Sequence, residues 1–119
     1  MIDFEDFEKY INSISLKEWK PLFALLPKIN QVGNMTRAMN IVYKLDLTPV
    51  FNWSDWKQGK EIIDNPKFDF TALDKMTLCK LLTFIVRANR FNGGYLTSCI
   101  NDGTMGKILI NLKRCIILN

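Results

Sequence analysis

Arg87 and Arg90 are the residues whose type and spacing best suit the binding of a charged group. At 100° per residue they lie one helical turn apart, and Lys80 falls on the same side of the helix. A guanidinium group offers a fork of N–H donors that matches a carboxylate or a phosphate. The alternatives are a solvated face or an ion pair within the chain, with one of three acids: Asp55, Asp74 or Asp102.

Two tryptophans, Trp53 and Trp56, are three residues apart and can share one side of a helix. Such a pair suits a stacking platform for bases or the anchor of a protein interface. The alternative is that the two rings close a small core, with each indole N–H at its edge. We expect Phe91, which directly follows the arginine pair, to lie in the core.

Residue types that commonly carry catalysis are scarce in this chain. It contains no histidine, which excludes a Ser-His-Asp or Cys-His apparatus and leaves only carboxylates, Lys or Tyr for catalysis. The three cysteines, Cys79, Cys99 and Cys115, are odd in number and form no CxxC pair, so we expect reduced residues in or near the core. The glycines fit no phosphate-loop pattern. We therefore expect a non-enzymatic protein that needs no cofactor and no metal.

Charge is unevenly distributed along the chain. The net charge is +4, yet the first eight residues contain four acids, and the rest carries sixteen basic against eight acidic residues, a net charge of +8. Such a body suits an acidic partner or nucleic acid. The acidic N-terminal helix, in turn, can bind a basic partner or lie against the chain's own basic body, and its simplest interpretation is an amphipathic helix with a charged outer face.

Length and hydropathy indicate one cytoplasmic domain with no contact to a membrane. A chain of 119 residues fits a single domain, here residues 1–119, and 48% hydrophobic against 24% charged residues is typical of a globular protein. The most apolar stretch, 81–86, ends at Arg87 and is too short to cross a bilayer. The N-terminus is acidic where a signal peptide would be basic.

Apolar periodicity predicts an all-α domain of about five to seven helices. The predicted segments are about 3–13, a short segment after a capping box at Ser15, 35–45, a helix from a Ser54 cap to about 64, 74–90, 95–101 and 104–117. In the helix 74–90 the apolar residues and Asn89 share one face. Four residues cluster on the opposite side: Lys80, Thr83, Arg87 and Arg90.

Three stretches within about 50–112 carry a resemblance to a known family. They are Phe51-Asn-Trp53-Ser-Asp-Trp56-Lys-Gln-Gly59, the run from Leu78 to Gly94 with Leu81-Leu-Thr and Arg87-x-x-Arg-Phe, and the later Gly103 and Ile108-Leu109. In this order they resemble a family of small bacterial proteins that is filed as a domain of unknown function. The chain departs from the family pattern at two places. The pattern often has Asp where this chain has Asn89, and it often has Cys-Glu where this chain has Asn92-Gly93. The resemblance implies a shared fold and no particular activity.

Together these observations favour a protein–protein interaction module, either an adaptor or an inhibitor carried on a mobile element. The high aromatic and Met content of a small helical body supports this hypothesis. The same residues can leave an exposed apolar patch, which would imply oligomerisation. The alternative is nucleic-acid binding through Lys80, Arg87 and Arg90. Three further cations would add charge to that face: Lys107, Lys113 and Arg114. The candidate partner-binding residues are Lys80, Arg87, Arg90, Trp53 and Trp56.

Overall fold

Helices account for most of residues 3–118, which are the residues that the computed structural model describes. Within these described residues seven α-helices follow one another: α1 (Phe4–Ser13), α2 (Leu16–Leu25), α3 (Asn34–Lys44), α4 (Lys57–Asp64), α5 (Lys75–Phe91), α6 (Tyr95–Asn101) and α7 (Thr104–Leu118). Short 3-10 turns lie at Leu26–Lys28, Trp53–Asp55 and Phe70–Ala72. No strand occurs in the part of the chain so described, and the prediction of a single all-α domain is confirmed.

The first two helices begin at side-chain caps whose residue types can be recognised in the sequence. The carboxylate of Asp3 accepts a hydrogen bond from the amide of Glu5 at the start of α1. The capping box predicted at Ser15 is present, because Ser15 Oγ accepts from the amide of Glu18 while Glu18 Oε1 accepts from the amide of Ser15. Pro21 lies inside α2 and not in its first turn, so this helix continues to Leu25 despite one missing N–H donor.

α5 is the central helix of the domain and packs against α7 and α6. Its fully buried side chains include Leu78, Leu81, Leu82 and Ile85, as the periodicity predicted. The facing side of α7 contributes a second set: Met105, Ile108, Leu109 and Leu112. Burial of each such side chain stabilises the fold by about 1.5–3 kcal/mol.

Two lysine side chains of α5 reach residues near the two ends of α1. Near one end, Phe4 lies beside Lys80, and near the other Asn12 accepts a hydrogen bond from Lys75. Phe7 and Ile11 supply the buried face of α1. The N-terminal end of α1 therefore lies near Lys80 of α5.

One predicted helix start is wrong. Ser54 does not cap α4, because the chain first makes the 3-10 turn Trp53–Asp55 and α4 begins only at Lys57. The hydroxyl of Ser54 donates to Oδ1 of Asn52 instead. A short side chain that satisfies a nearby polar group competes with the helix cap that the sequence suggested.

No helix within residues 3–118 combines the length and the apolar character needed to cross a bilayer.

Candidate partner-binding site

The segment 45–56, which joins α3 to α4, lies along α5 and is called here the covering segment. Its Pro49 carbonyl accepts a hydrogen bond of 2.7 Å from Thr83 Oγ1, and Thr83 is 1% exposed. Its Trp53–Asp55 turn packs against the same helix. The side of α5 predicted to lie opposite the apolar face is therefore itself largely covered, and α5 contacts other parts of the chain on most of its circumference.

Lys80, a predicted partner-binding residue, is enclosed by aromatic rings of its own chain. Its Nζ lies 4.4 Å from the ring centroid of Trp56, 4.9 Å from that of Phe4 and 5.0 Å from that of Phe51. Burial lowers the pKa of the Lys80 ammonium, and Asp74 partly opposes this shift. The ring quadrupoles attract the cation, so Lys80 links α1, the covering segment and α5.

Trp53 and Trp56 lie at the two ends of the 3-10 turn, and both contact Phe84 of α5. The ring of Trp53 meets that of Phe84 edge to face at 5.6 Å, and the ring of Trp56 meets it at 6.4 Å. Trp56 also contacts Phe51 edge to face at 5.5 Å. Both indoles are half-buried, so each anchors the covering segment to α5 while keeping part of its surface in solvent.

Gly59 makes the position of Trp56 possible. A Cβ atom at Gly59, on the first turn of α4, would lie 2.3 Å from Cε3 of Trp56 and 2.6 Å from Cζ3. Real Cβ atoms do not approach ring carbons so closely, and the indole therefore needs a residue without a side chain beneath it.

The side of α5 that carries Lys80 and Thr83 continues toward the C-terminal end of the helix, where it carries Arg87, Arg90 and Phe91. Arg87 is half-buried and Arg90 is exposed, and neither forms an ion pair with any carboxylate of residues 3–118. The pairings considered with Asp55, Asp74 or Asp102 are therefore not formed.

Phe91 does not lie in the core as expected, since its side chain is 83% exposed. It is the last residue of α5, and the chain turns away behind it through Gly94, whose φ of 92° favours glycine. The ring of Phe91 packs at 5.9 Å from that of Trp53. We call Trp53, Arg87, Arg90 and Phe91 the aromatic–arginine surface.

A family model described as a family of unknown function, DUF6508, matches residues 17–117. The chain belongs to DUF6508. This confirms the expected resemblance to a family of unknown function and extends it beyond residues 50–112 on both sides. No curated protein and no solved structure matches the chain.

Structural contacts account for several motif residues of this DUF6508 chain. Gly59 leaves room for Trp56, and Thr83 holds Pro49. Asn89, where the family pattern often has Asp, accepts a 3.0 Å hydrogen bond from the amide of Leu96 and so ties α6 to α5. A carboxylate oxygen would make the same bond, so the change to Asn keeps the acceptor and removes its charge.

The sequence interpretation missed Phe4, Phe51 and Pro49, the residues that complete the surroundings of Lys80 and Thr83. Phe4 and Phe51 meet at 5.6 Å although 46 residues separate them in the chain. Helical periodicity relates only near neighbours on one helix. The one available signal was composition, because Phe51 lies in an aromatic segment, and it gave no partner.

The cysteines lie outside this surface. Cys79 and Cys99 are buried and Cys115 is half-buried, in agreement with the sequence prediction. Burial raises the pKa of Cys79 to about 12 and that of Cys99 to about 11. Since the thiolate is the reactive form, both are poor nucleophiles at neutral pH. In the described part of the chain no group of three Cys, Asp or Glu side chains is placed to hold a metal ion.

A cleft of about 400 Å³ lies between α1, α5 and α7, away from the aromatic–arginine surface. Its charged lining mixes both signs: Glu8 and Asp74 with Lys75 and Arg114. Cys115 also lines the cleft. Burial raises the pKa of its thiol and so favours the neutral form. The cleft therefore brings no activated nucleophile to the surface.

Proposed function

We propose that this DUF6508 protein is a non-enzymatic protein–protein interaction module, an adaptor or an inhibitor, that works in the bacterial cytoplasm. The observation that carries the proposal is the exposure of Phe91, whose ring lies in solvent against Trp53 and beside Arg87 and Arg90. Aromatic residues and arginine are enriched at protein interfaces, where a few buried anchors supply most of the binding energy.

The support comes from the combination of an apolar ring and unpaired cations on one rigid helix. Burying a Phe side chain in a partner gains about 1.5–3 kcal/mol. Trp53 is fixed edge to face on Phe84, which leaves little side-chain freedom to lose on binding. Arg87 and Arg90 have no internal carboxylate partner within residues 3–118, so their guanidinium groups are available to one in another molecule.

Nucleic-acid binding has less support from the same region. Lys80 lies among three rings of its own chain, and Lys113 lies 5.9 Å from the ring of Phe23. The basic residues expected to act together are therefore divided between internal contacts and separate helices. Stacking of a base on Phe91 remains the feature that favours this second candidate.

The test is a pull-down with the tagged chain from its native host, with and without nuclease. The Arg87→Ala/Arg90→Ala variant and the Phe91→Ala variant are compared with Lys107→Ala/Arg114→Ala, which removes two exposed cations from α7. A protein partner that survives nuclease and is lost in the first two variants alone supports the proposal. Recovery abolished by nuclease, or reduced equally by both double variants, supports nucleic acid. Recovery that no variant changes contradicts the assignment of this surface.

A further inference from the structure

The turn between α5 and α6 contains the one Asn-Gly pair of the sequence, Asn92-Gly93. Both residues are exposed, and Asn92 is the C-cap of α5, directly after Phe91 of the aromatic–arginine surface. The side-chain amide carbon of an asparagine can be attacked by the backbone nitrogen of the next residue, which closes a succinimide ring. A side chain on that next residue hinders the attack, and glycine has none.

The surroundings of this pair leave both reacting groups free. The amide nitrogen of Gly93, the attacking atom, donates no hydrogen bond to any of residues 3–118. A Cβ atom at Gly93 would meet nothing within 4 Å, so the space around it is open. The side-chain amide of Asn92 has no hydrogen-bond partner in the same range, whereas those of Asn34 and Asn89 are engaged at 2.7 Å and 3.0 Å.

The turn slows the attack without preventing it. To bring its side-chain carbon to the Gly93 nitrogen, Asn92 must rotate its own carbonyl group, which accepts a hydrogen bond of 3.1 Å from the amide of Tyr95. Hydrogen bonds at exposed helix ends open at a small cost in free energy. We therefore expect the folded chain to react more slowly than the same segment in an unfolded peptide, but at a measurable rate.

The reaction needs only water. The nitrogen of Gly93 bonds to Cγ of Asn92, and the side-chain nitrogen leaves as ammonia with the proton that Gly93 gives up. Water then opens the succinimide at one of its two carbonyl groups. Opening at Cγ gives aspartate, and opening at the main-chain carbonyl gives isoaspartate, in which the main chain runs through Cβ. Either product carries a carboxylate where the amide was neutral.

A carboxylate at position 92 would directly follow Phe91 and lower the net charge of +4 by one unit. The proposed function assigns Arg87 and Arg90 to the carboxylates of a partner, which the new negative charge would repel. We propose that Asn92 deamidates spontaneously in the folded protein and that the resulting acid weakens partner binding at the aromatic–arginine surface as the protein ages. The effect on binding rests on the proposed function, and the deamidation does not.

The first experiment follows the modification itself in the full purified chain. The protein is incubated at neutral pH, its acidic species is separated by ion exchange, and peptide mapping by mass spectrometry locates the change. Gly93→Ala is the matched variant, because its methyl group meets no other part of the chain but hinders the attack. Asn65 is the internal control, since it is exposed but precedes Pro66, which has no N–H.

We expect an acidic species that maps to position 92, none at Asn65, and a reaction more than about tenfold slower in Gly93→Ala. A synthetic peptide of residues 88–97 gives the unfolded reference and should react faster than the protein. The inference is overturned if the peptide reacts and the folded protein does not. It is also overturned if Gly93→Ala reacts as fast as the wild type, since the Gly93 nitrogen would then not be the attacking atom.

The second experiment measures binding with the partner recovered in the pull-down. Fresh wild type is compared with the purified acidic species, with Asn92→Asp, and with Asn92→Gln, which lengthens the side chain and keeps it neutral. We expect the affinity of the acidic species and of Asn92→Asp to fall by about threefold to tenfold, and that of Asn92→Gln to stay near the wild type. Equal affinity of all four overturns the effect on binding. Failure of every version to capture a partner would count against the proposed function, whereas the acidic species would still establish the modification.

Discussion

Gly59 lies directly beneath the indole of Trp56, where a Cβ atom would be 2.3 Å from Cε3. Replacement by Ala in an exposed helix usually stabilises by up to about 1 kcal/mol. Here the added methyl must displace the ring that contacts Phe51, Phe84 and Lys80. The sterics therefore outweigh the helix propensity.

We expect Gly59→Ala to lower the free energy of unfolding by about 1–3 kcal/mol, as overpacking does, and to change the tryptophan fluorescence of the native state. Urea denaturation followed by fluorescence measures both. The matched control is Gly93→Ala, because a Cβ there meets nothing within 4 Å. Equal stability of the two variants would show that Trp56 is not held against Gly59.

Thr83 ties the covering segment to α5 through the carbonyl of Pro49. Thr83→Val keeps the shape of the side chain and leaves that carbonyl without its buried donor, so we expect a loss of about 1–3 kcal/mol. Hydrogen exchange should also accelerate in the covering segment, which loses its link to the helix. Thr97→Val, at an exposed position on α6, is the control. Unchanged exchange near Pro49 would contradict the role of this bond.

Apart from the start of α4, where the Ser54 cap was wrong, the sequence predicted the helices well because each one has a local signal. The capping box at Ser15, the apolar spacing of α5 and the glycine between α6 and α7 all act within a few residues. The boundaries of α6 agree with the prediction because a glycine precedes Tyr95 and Asn101 is followed by a turn. Local chemistry therefore suffices for the element order and for the all-α class.

The candidate site was predictable only in part, because long-range contacts decide which residues reach solvent. Lys80 and Arg87 lie on one side of α5, yet one is enclosed by rings from two distant segments and the other is not. Phe84 and Phe91 are the same residue type on the same helix. Phe84 is nevertheless buried, whereas Phe91, the last residue of the helix, is exposed. Neither difference can be predicted from the spacing of residues along one helix.

Phe91 is expected to contribute to binding without contributing to the fold. Its side chain is 83% exposed, whereas Leu82 on the same helix is fully buried. Phe91→Ala should therefore change the free energy of unfolding by no more than about 0.5 kcal/mol. Leu82→Ala should cost about 2–5 kcal/mol. Thermal and urea denaturation test the pair, and a large loss for Phe91→Ala would mean that the ring is a structural contact with Trp53.

Alkaline pH is expected to destabilise the protein through its buried thiols. Burial raises the pKa of Cys79 from 9.0 to about 12, so above pH 9 the unfolded chain releases a proton that the folded chain retains. The stability from this group is complete below pH 9 and is lost as the pH rises toward 12, by about 1.4 kcal/mol for each pH unit.

The raised pKa of Cys99 acts in the same direction over a narrower pH range, because burial raises it only to about 11. Urea denaturation of the wild type and of Cys79→Ala between pH 7 and about 10.5 separates this effect from general alkaline unfolding. The variant is less stable at pH 7, since it leaves a cavity, but its stability should fall less steeply above pH 9. Parallel curves for the two proteins would mean that Cys79 ionises as readily in the folded chain as in the unfolded one.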